Sequence, residues 1–400
     1  MTESNPLFLS IDGGGTKTKV TISTYSKSTS NQFKPQILST AIHRSSNYSD
    51  LGIDSAIQSI HQATQKALSS LPIAYSTYLN RFKTSCPFTK IWAGLSGVDS
   101  PLDIKIMYNA LSSLFLIDTS DSNVLEVSND CDLLTGPIEF HYLESIHHSN
   151  PSKVCQGGIV LIAGTGSIVT AYIPKILEAE SDPTKSVLQV AGRLGGYGYL
   201  IGDEGSAYDV GKRTIKSILE DLDSLNSKDN LSFNSMISKS TLIPMILNHF
   251  GVENLNDLLG SVYKLDKSKG ETEHDRKIRI SEVSRIVMQA AYPKNLDHQE
   301  NQKGDEFALR IMQETGQELS KLLKKICQIH QLLPSQLVLS LGGGMWGYDE
   351  FQQLLIQLTH QDWDAQWGWI ERVNEPDEVA AVTLVNRYIK TLESDASTPA

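Results

Sequence analysis

The sequence predicts a mixed α/β fold built from two related halves. Three observations carry that reading. An apolar strand, a turn of small residues and a second apolar strand occur once in "LFLSIDGGGTKTKVTIST" (7–24) and again in "GGIVLIAGTGSIVTAYI" (157–173). Strand-like and helix-like periodicities alternate along the chain instead of segregating. At 400 residues the chain is also too long for one ordinary core, so two or three domains are expected.

The elements follow in order. After the first hairpin, residues 26–47 are polar and Ser/Thr-rich, with strand-like "QILSTAI" at 36–42. Leu51, Ala56, Ile57, Ile60, Ala63 and Ala67 recur at helical spacing and predict a helix over 50–70. "TKIWAGLSGV" (89–98) reads as a strand entering a small-residue turn, Gly94 to Gly97. "PLDIKIMYNALSSLF" then reads as a helix with Pro101 in its first turn. "NVLEVSND" (123–130) is a short strand ending on a polar pair. Beyond the second hairpin, a glycine-dense loop from 192 feeds a helix reaching 219. The stretch 206–330 is mostly helical, with polar interruptions at 221–240 and 264–276. "SQLVLSLGGGMWGYDEFQQLLIQL" (335–358) gives one more strand, glycine turn and helix. Glu375, Asp377 and Glu378 mark a helix start favoured by the dipole, and "DEVAAVTLVNRYIK" is amphipathic before a disordered-looking tail. Polar insertions are expected near 140–155 and 178–189.

Composition excludes several classes. The chain is 40% hydrophobic and 20% charged, with a net charge of −11, which argues against nucleic acid as a partner. No stretch approaches the ~18 uninterrupted apolar residues of a membrane span, and the N-terminus lacks a secretory signal, so a cytoplasmic protein is expected. Cys86, Cys131, Cys155 and Cys327 form no CxxC pair and read as reduced, partly buried thiols. His141, His147 and His148 near Cys155 fit no zinc-ligand spacing. Trp363, Trp367 and Trp369 read as packing residues.

The glycine turns carry the chemistry. Small residues leave backbone N–H groups bare, and such amides can wrap phosphate oxygens without a basic side chain. Gly13, Gly14 and Gly15 offer that cradle, Thr16 adds a hydroxyl, Lys17 a positive charge, and Asp12 a carboxylate able to hold Mg²⁺ directly or through water. The alternative for this stretch alone is an ordinary hairpin turn. Gly164-Thr165-Gly166-Ser167 and Gly342-Gly343-Gly344 repeat the arrangement and favour a nucleotide. There is no GxxxxGK[ST], and no GxGxxG between a strand and a helix, so neither a P-loop nor a Rossmann site is supported.

The set Asp12-Gly-Gly-Gly-Thr16, Gly164-Thr-Gly-Ser167, "GGYGYLIGDEGSAY" (195–208) and "LSLGGGMW" (339–346) resembles the BadF/BadG/BcrA/BcrD ATPase family of the sugar kinase/Hsp70/actin superfamily. Within that family it is most similar to the N-acetylglucosamine kinase branch of eukaryotes. The matches run in order over nearly the whole chain. The resemblance implies two actin-like (ribonuclease H-like) ATPase domains, 1–150 and 151–380, with residues 381–400 returning as a helix plus tail to the first. It implies ATP and a sugar bound in the cleft between them, with Mg²⁺. The activity implied is phosphorylation of the 6-hydroxyl of N-acetylglucosamine, with glucosamine, N-acetylmannosamine or glucose as alternative substrates. The protein's partner would then be a small-molecule sugar, and a homodimer is compatible with it. An activator ATPase of the wider family holds a [4Fe–4S] cluster with a cysteine pair that these four cysteines do not match.

By that resemblance Asp130, at the end of the strand before the domain crossing, is the base, with Asp132 as its rival. An ordinary carboxylate pKa of about 4 leaves it ionised at neutral pH. Gly13 to Lys17, Thr165 and Gly166 would hold the phosphates, and Gly343 and Gly344 the nucleoside side. Asn47, Ser167, Gly196, Tyr197, Gly198 and Asp203 would face the sugar, Tyr197 standing where the family has Trp. Two of these have plainer alternatives: Asn47 as a turn asparagine and Asp203 as a helix N-cap.

Overall fold

The computed structural model describes residues 6–27, 32–117, 123–145, 149–150, 153–175, 187–225, 240–293 and 303–397. The chain divides into two compact units. The first comprises Met1–His148, Ile173–Gln189 and Val373–Ala400; the second comprises Ser149–Tyr172 and Val190–Arg372.

In the first unit, β1 (Phe8–Gly13) pairs antiparallel with β2 (Lys17–Lys27), which pairs antiparallel with β3 (Phe33–Arg44). On its other side β1 runs parallel to β4 (Lys90–Leu95), and β4 parallel to β5 (Leu125–Asn129), giving the order β3-β2-β1-β4-β5. Side chains alternate across a strand, so Leu7, Leu9 and Ile11 enter one core with Ala56, Ile60, Ala63, Leu111 and Phe115. Phe8, Ser10 and Asp12 are left on the opposite face. The helices of this unit are α1 (Tyr48–Leu51), α2 (Ile53–Ser69), α3 (Thr77–Arg81), α4 (Pro101–Phe115) and α5 (Gly136–Ser145). The helix expected over 50–70 is split at Gly52, whose φ of 75° breaks the helical path. Ser100 and Asp103 form a capping box that starts α4 behind Pro101.

The second unit repeats this plan. β6 (Gly158–Ala163) pairs antiparallel with β7 (Ser167–Pro174) and parallel with β9 (Val338–Gly342), and β8 (Leu188–Gly195) and β10 (Trp369–Val373) complete the order β10-β9-β6-β7-β8. Read from the other edge, this is the order of the first sheet, each with its hairpin and parallel neighbour in the same places. Its helices are α6 (Ala207–Leu225), α7 (Leu242–Phe250), α8 (Leu255–Tyr263), α9 (Glu273–Ala291), α10 (Glu306–His330) and α11 (Asp349–Trp363). One apolar core joins Ile159, Leu161 and Val169 of the sheet to Val283, Val287, Ile311 and Leu319 of the helices. Trp363 and Trp367 pack edge to face, their ring N–H groups donating to Ser320 and Thr359. The last helix, α12 (Pro376–Ser397), belongs to the first unit. Its Ala380, Leu384, Val385 and Ile389 pack with Phe8 and Trp92 on the sheet face that β1 leaves to Ser10 and Asp12.

Some expectations are displaced. Gly94 and Leu95 belong to β4 and not to a turn, because Gly94 pairs with Asp12 on one side and Ser128 on the other. The glycine-dense segment begins as strand, β8 running to Gly195. The polar stretch from 140 begins as helix, α5 running to Ser145 and burying Glu139 against Arg387 of α12. The tail expected to be disordered continues α12 to Ser397. His147, His148, residues 178–186 of the insertion at 178–189, and residues 226–239 of the stretch at 221–240 lie outside the described residues. No helix among the described residues is long and apolar enough to cross a membrane.

Candidate functional site

The predicted residues of the first unit gather at the carboxyl ends of its parallel strands, where open α/β sheets present their ligand-facing loops. β1, β4 and β5 end in register: Asp12, Gly94 and Ser128 form one row, and Gly13, Leu95 and Asn129 the next. Gly14 closes the hairpin by donating its N–H to the Lys17 carbonyl at 3.0 Å. None of Gly13, Gly14 and Gly15 has a positive φ, so the run of three is not demanded by backbone shape. Gly13 is demanded by packing, since a Cβ there would lie 2.5 Å from Leu95 and 2.6 Å from Ser46. A Cβ on Gly15 would meet only Asn47, at 3.9 Å, and Gly15, Thr16 and Lys17 are exposed. These three present open backbone amides, a hydroxyl and an ammonium.

Asp12 is half-buried on the α12 face, and burial pushes its carboxyl from 3.8 up to about 7. The negative charges of Asp130 and Asp377 add to the rise, while Lys17 and Lys19 partly offset it. Asp130 begins the short 3₁₀ segment Asp130–Thr135 after β5. Asn129 shapes that corner: its side-chain oxygen accepts the Cys131 N–H at 3.0 Å and its amide donates to Asp99 at 2.9 Å. Leu133 of the segment packs onto Gly94, where a Cβ would stand 2.4 Å from Leu133 Cγ. Asn47 caps α1, accepting from Ser49 and donating to Asp50 at 2.9 Å, so its side-chain polar atoms are engaged within their own turn.

Lys19, Glu375 and Asp377 were not among the residues singled out for chemistry. Lys19 stands directly opposite Asp12 in the hairpin ladder. Its ammonium contacts Glu375 at 2.5 Å and Asp377 at 3.2 Å. Asp377 is fully buried at the start of α12, accepting from Thr21 Oγ1 at 2.5 Å, and its carbonyl accepts from Ser10 Oγ at 2.6 Å. The register of the first hairpin, two residues beyond Lys17, was the signal for Lys19. Nothing in the sequence brought α12 to the same face.

The second unit assembles its own loops at the carboxyl ends of β6 and β9. The Gly164 N–H donates to the Gly166 carbonyl at 2.9 Å, and Gly164, Thr165 and Gly166 remain partly open. Gly343 has φ 98°, and a Cβ there would meet the Ala163 carbonyl at 2.5 Å, so the third glycine turn lies against the second. Gly344 is exposed, with nothing near its missing Cβ. Gly195, Gly196 and Gly198 all have positive φ, and Tyr197 is 62% exposed between them. Ser206, not Asp203, caps α6: its Oγ accepts the Asp209 N–H at 3.2 Å. Asp203 is buried with φ 60°, its carboxylate accepting the N–H groups of Ser167 and Gly198. Burial raises its pKa, and those two bonds and Lys277 act against the rise. The Ser167 hydroxyl donates to the Glu204 carbonyl at 2.7 Å.

Among the described residues no group of three or more His, Cys, Asp and Glu could cage a metal. The pair Asp12 and Asp130 still suits Mg²⁺, which takes one or two carboxylates and completes its shell with water and phosphate oxygens. The four cysteines are free, and burial raises the thiols of Cys86, Cys155 and Cys327, the last to about 12.

No protein-family model matches the chain. It is 26% identical over 353 residues to an N-acetylmuramic acid/N-acetylglucosamine kinase of Clostridium acetobutylicum, covering 87% of this chain and 89% of that one. It is 26% identical over 229 residues to an N-acetyl-D-glucosamine kinase of Dictyostelium discoideum, covering 57% and 59%. Among solved structures, a proposed N-acetylglucosamine kinase of Porphyromonas gingivalis superposes over 96% of this chain and 99% of its own, with TM-score 0.56 and 15% identity. That likeness shows the fold, a mixed α/β architecture of paired actin-like halves.

Proposed function

We propose that the protein is an ATP-dependent sugar kinase that phosphorylates the 6-hydroxyl of N-acetylglucosamine, giving N-acetylglucosamine 6-phosphate and ADP. The observation that carries the chemistry is the approach of Asp12 and Asp130 at the carboxyl ends of β1 and β5, the two strands that flank β4, beside a turn of bare amides. The kinases of Clostridium acetobutylicum and Dictyostelium discoideum supply the substrate class. The first of them also favours a second reading, N-acetylmuramic acid, on the same machinery.

Asp130 orients the sugar hydroxyl and accepts its proton as the oxygen attacks the γ-phosphorus and the bond to ADP breaks. The amides of Gly13, Gly14 and Gly15, the Thr16 hydroxyl and the Lys17 ammonium bind phosphate oxygens. Thr165 and Gly166 do the same from the second unit, and Gly343 and Gly344 leave room for the nucleoside. Asp12 holds Mg²⁺, which neutralises phosphate charge when bound. Asn47, Ser167, the Gly196-Tyr197-Gly198 loop and Asp203 approach the sugar. The test is an ADP-release assay across N-acetylglucosamine, N-acetylmuramic acid, glucosamine, N-acetylmannosamine and glucose. Stimulation strongest with N-acetylglucosamine is expected, and absence of stimulation by every sugar would sink the kinase reading.

A further inference from the structure

We propose that Ser45 is a positioning residue that ties the phosphate turn at Gly14 to the sugar-facing turn at Asn47, a role that rests on the kinase reading above. Topology brings the two turns together. The β2–β3 ladder ends with Lys17 opposite Arg44, so the chain leaving β3 passes beside the hairpin turn before α1 begins at Tyr48. Residues 45–47 form that short link. The half-buried Ser45 hydroxyl donates to the Gly14 carbonyl at 3.0 Å, and the same oxygen accepts the Asn47 N–H at 3.1 Å. A serine hydroxyl has one proton to give and lone pairs to receive, and here both capacities are used, one on each turn.

The bond to Gly14 does more than hold a carbonyl. A trans peptide is planar, with its C=O and N–H pointing in opposite directions, so fixing the Gly14 carbonyl also fixes the aim of the Gly15 N–H. The Gly14 N–H is held as well, by the Lys17 carbonyl at 3.0 Å. Gly15 is exposed and has no side chain of its own to hold it, so its amide takes its direction from these bonds. The link also packs against the same turn: Ser46 is fully buried, and a Cβ on Gly13 would stand 2.6 Å from its Oγ. On the sugar side, the Ser96 carbonyl accepts the Tyr48 N–H at 3.2 Å, while the Ser96 N–H donates to the Gly13 carbonyl at 2.8 Å. Gly97 follows with φ 82°, and a Cβ there would lie 2.6 Å from Asn47 Oδ1. The end of β4 therefore backs both turns through its main chain, and Ser45 adds a side-chain bond that a substitution can remove. The spacing of the turns sets where a bound phosphate stands relative to a sugar hydroxyl, and transfer is sensitive to small displacements of that kind.

The experiment compares the parent with Ser45→Ala and Ser45→Thr, by calorimetric titration with Mg–ATP and by steady-state kinetics with N-acetylglucosamine. Losing the hydroxyl should weaken Mg–ATP about fivefold and raise the N-acetylglucosamine KM by a similar factor, the size expected of one hydrogen bond. Threonine keeps a hydroxyl and should bring both constants back to within about twofold of the parent. A residue serving only the fold would lower thermal stability and leave both constants of the folded protein alone, so parental values in Ser45→Ala overturn the proposal. An Asn47→Ala background separates the two turns: there Ser45→Ala should still weaken Mg–ATP but no longer change the sugar KM. A further rise in KM in that background overturns the action through Asn47. Amide hydrogen exchange gives a readout free of ligands. The Asn47 amide should be protected in the parent and in Ser45→Thr, and lose protection in Ser45→Ala; unchanged protection overturns the tie. A parent that no sugar stimulates would defeat the kinase reading, while the Asn47 exchange still decides the tie.

Discussion

The two hairpin turns share a topology and differ in charge. In the first unit the last ladder pair is Gly13 with Thr18, preceded by Asp12 opposite Lys19. In the second the last pair is Ala163 with Ser167, preceded by Ile162 opposite Ile168. Where one half places an ion-bearing pair, the other places two isoleucines. The first turn stands open at Gly15, Thr16 and Lys17; the second is laced at both ends to the segment that starts α6. One ancestral-looking plan thus serves two ends, a charged one suited to proton and metal chemistry and a neutral one suited to binding through amides alone. Backbone dipoles of such turns act on an anion locally, whatever the net charge of the chain.

The sharpest way to break this division of labour is Asp130→Asn. Phosphorylation should fall by about 10²–10⁴-fold while ATP binding persists, measured as kcat beside a calorimetric Kd. Unchanged turnover would move the base to Asp132 or elsewhere. Next in size is Lys19→Met, which strands the buried Asp377 carboxylate and should cost about 3 kcal/mol in chemical denaturation. Loss below about 1 kcal/mol would show that α12 does not depend on the pair.

The neutral end is probed by two neighbouring glycines. Gly343→Ala must accept a positive φ and a contact with the Ala163 carbonyl, so it should lose about 2 kcal/mol of stability. Gly344→Ala meets nothing and should stay within about 0.5 kcal/mol, so any loss of nucleotide affinity there would report the ligand and not the fold. A separate probe is a pH dependence. Asp12 has a folded value of about 7 against 3.8, so between those values the folded state holds a proton that the unfolded state has released. Stability from this group therefore falls as pH rises through that window. With chelator present, Asp12→Asn should melt higher than the parent at about pH 8, and the gap should close towards about pH 4. A gap independent of pH would refute the assignment.

Local signals carried most of the fold into view. Alternation in "LFLSID", glycine at strand ends and Ser100-Pro101 before α4 are short-range patterns, and each marks its element to within a few residues. The candidates Asp12 and Gly164 to Ser167 stand out in the sequence because they lie at strand ends among small residues, whereas Asp130 stands out only through the family resemblance, with Asp132 as its rival. What the sequence did not disclose depends on distant packing. Asp377 reads as a helix-start acid, and only the docking of α12 on β1 and β2 puts it beside Lys19. Asp203 reads as a sugar contact with a helix cap as its plainer alternative, and it is Ser206 that takes the cap. Gly94 looks like a turn residue because its pairing partners lie 82 and 34 positions away.

The seam between β1 and α12 also has a consequence for how the protein is made. Ser10 bonds the carbonyl of Asp377, a separation of 367 residues. On the ribosome, the helix that covers the second face of the Asp12 strand emerges more than 360 residues after that strand. Until then Phe8 and Trp92 lie uncovered by the helix that buries them. The second unit, largely continuous between Ser149 and Arg372, can close its core while the first still waits. Synthesis order therefore makes the charged end mature after the second unit, and leaves the first unit dependent on the segment from Val373 onward.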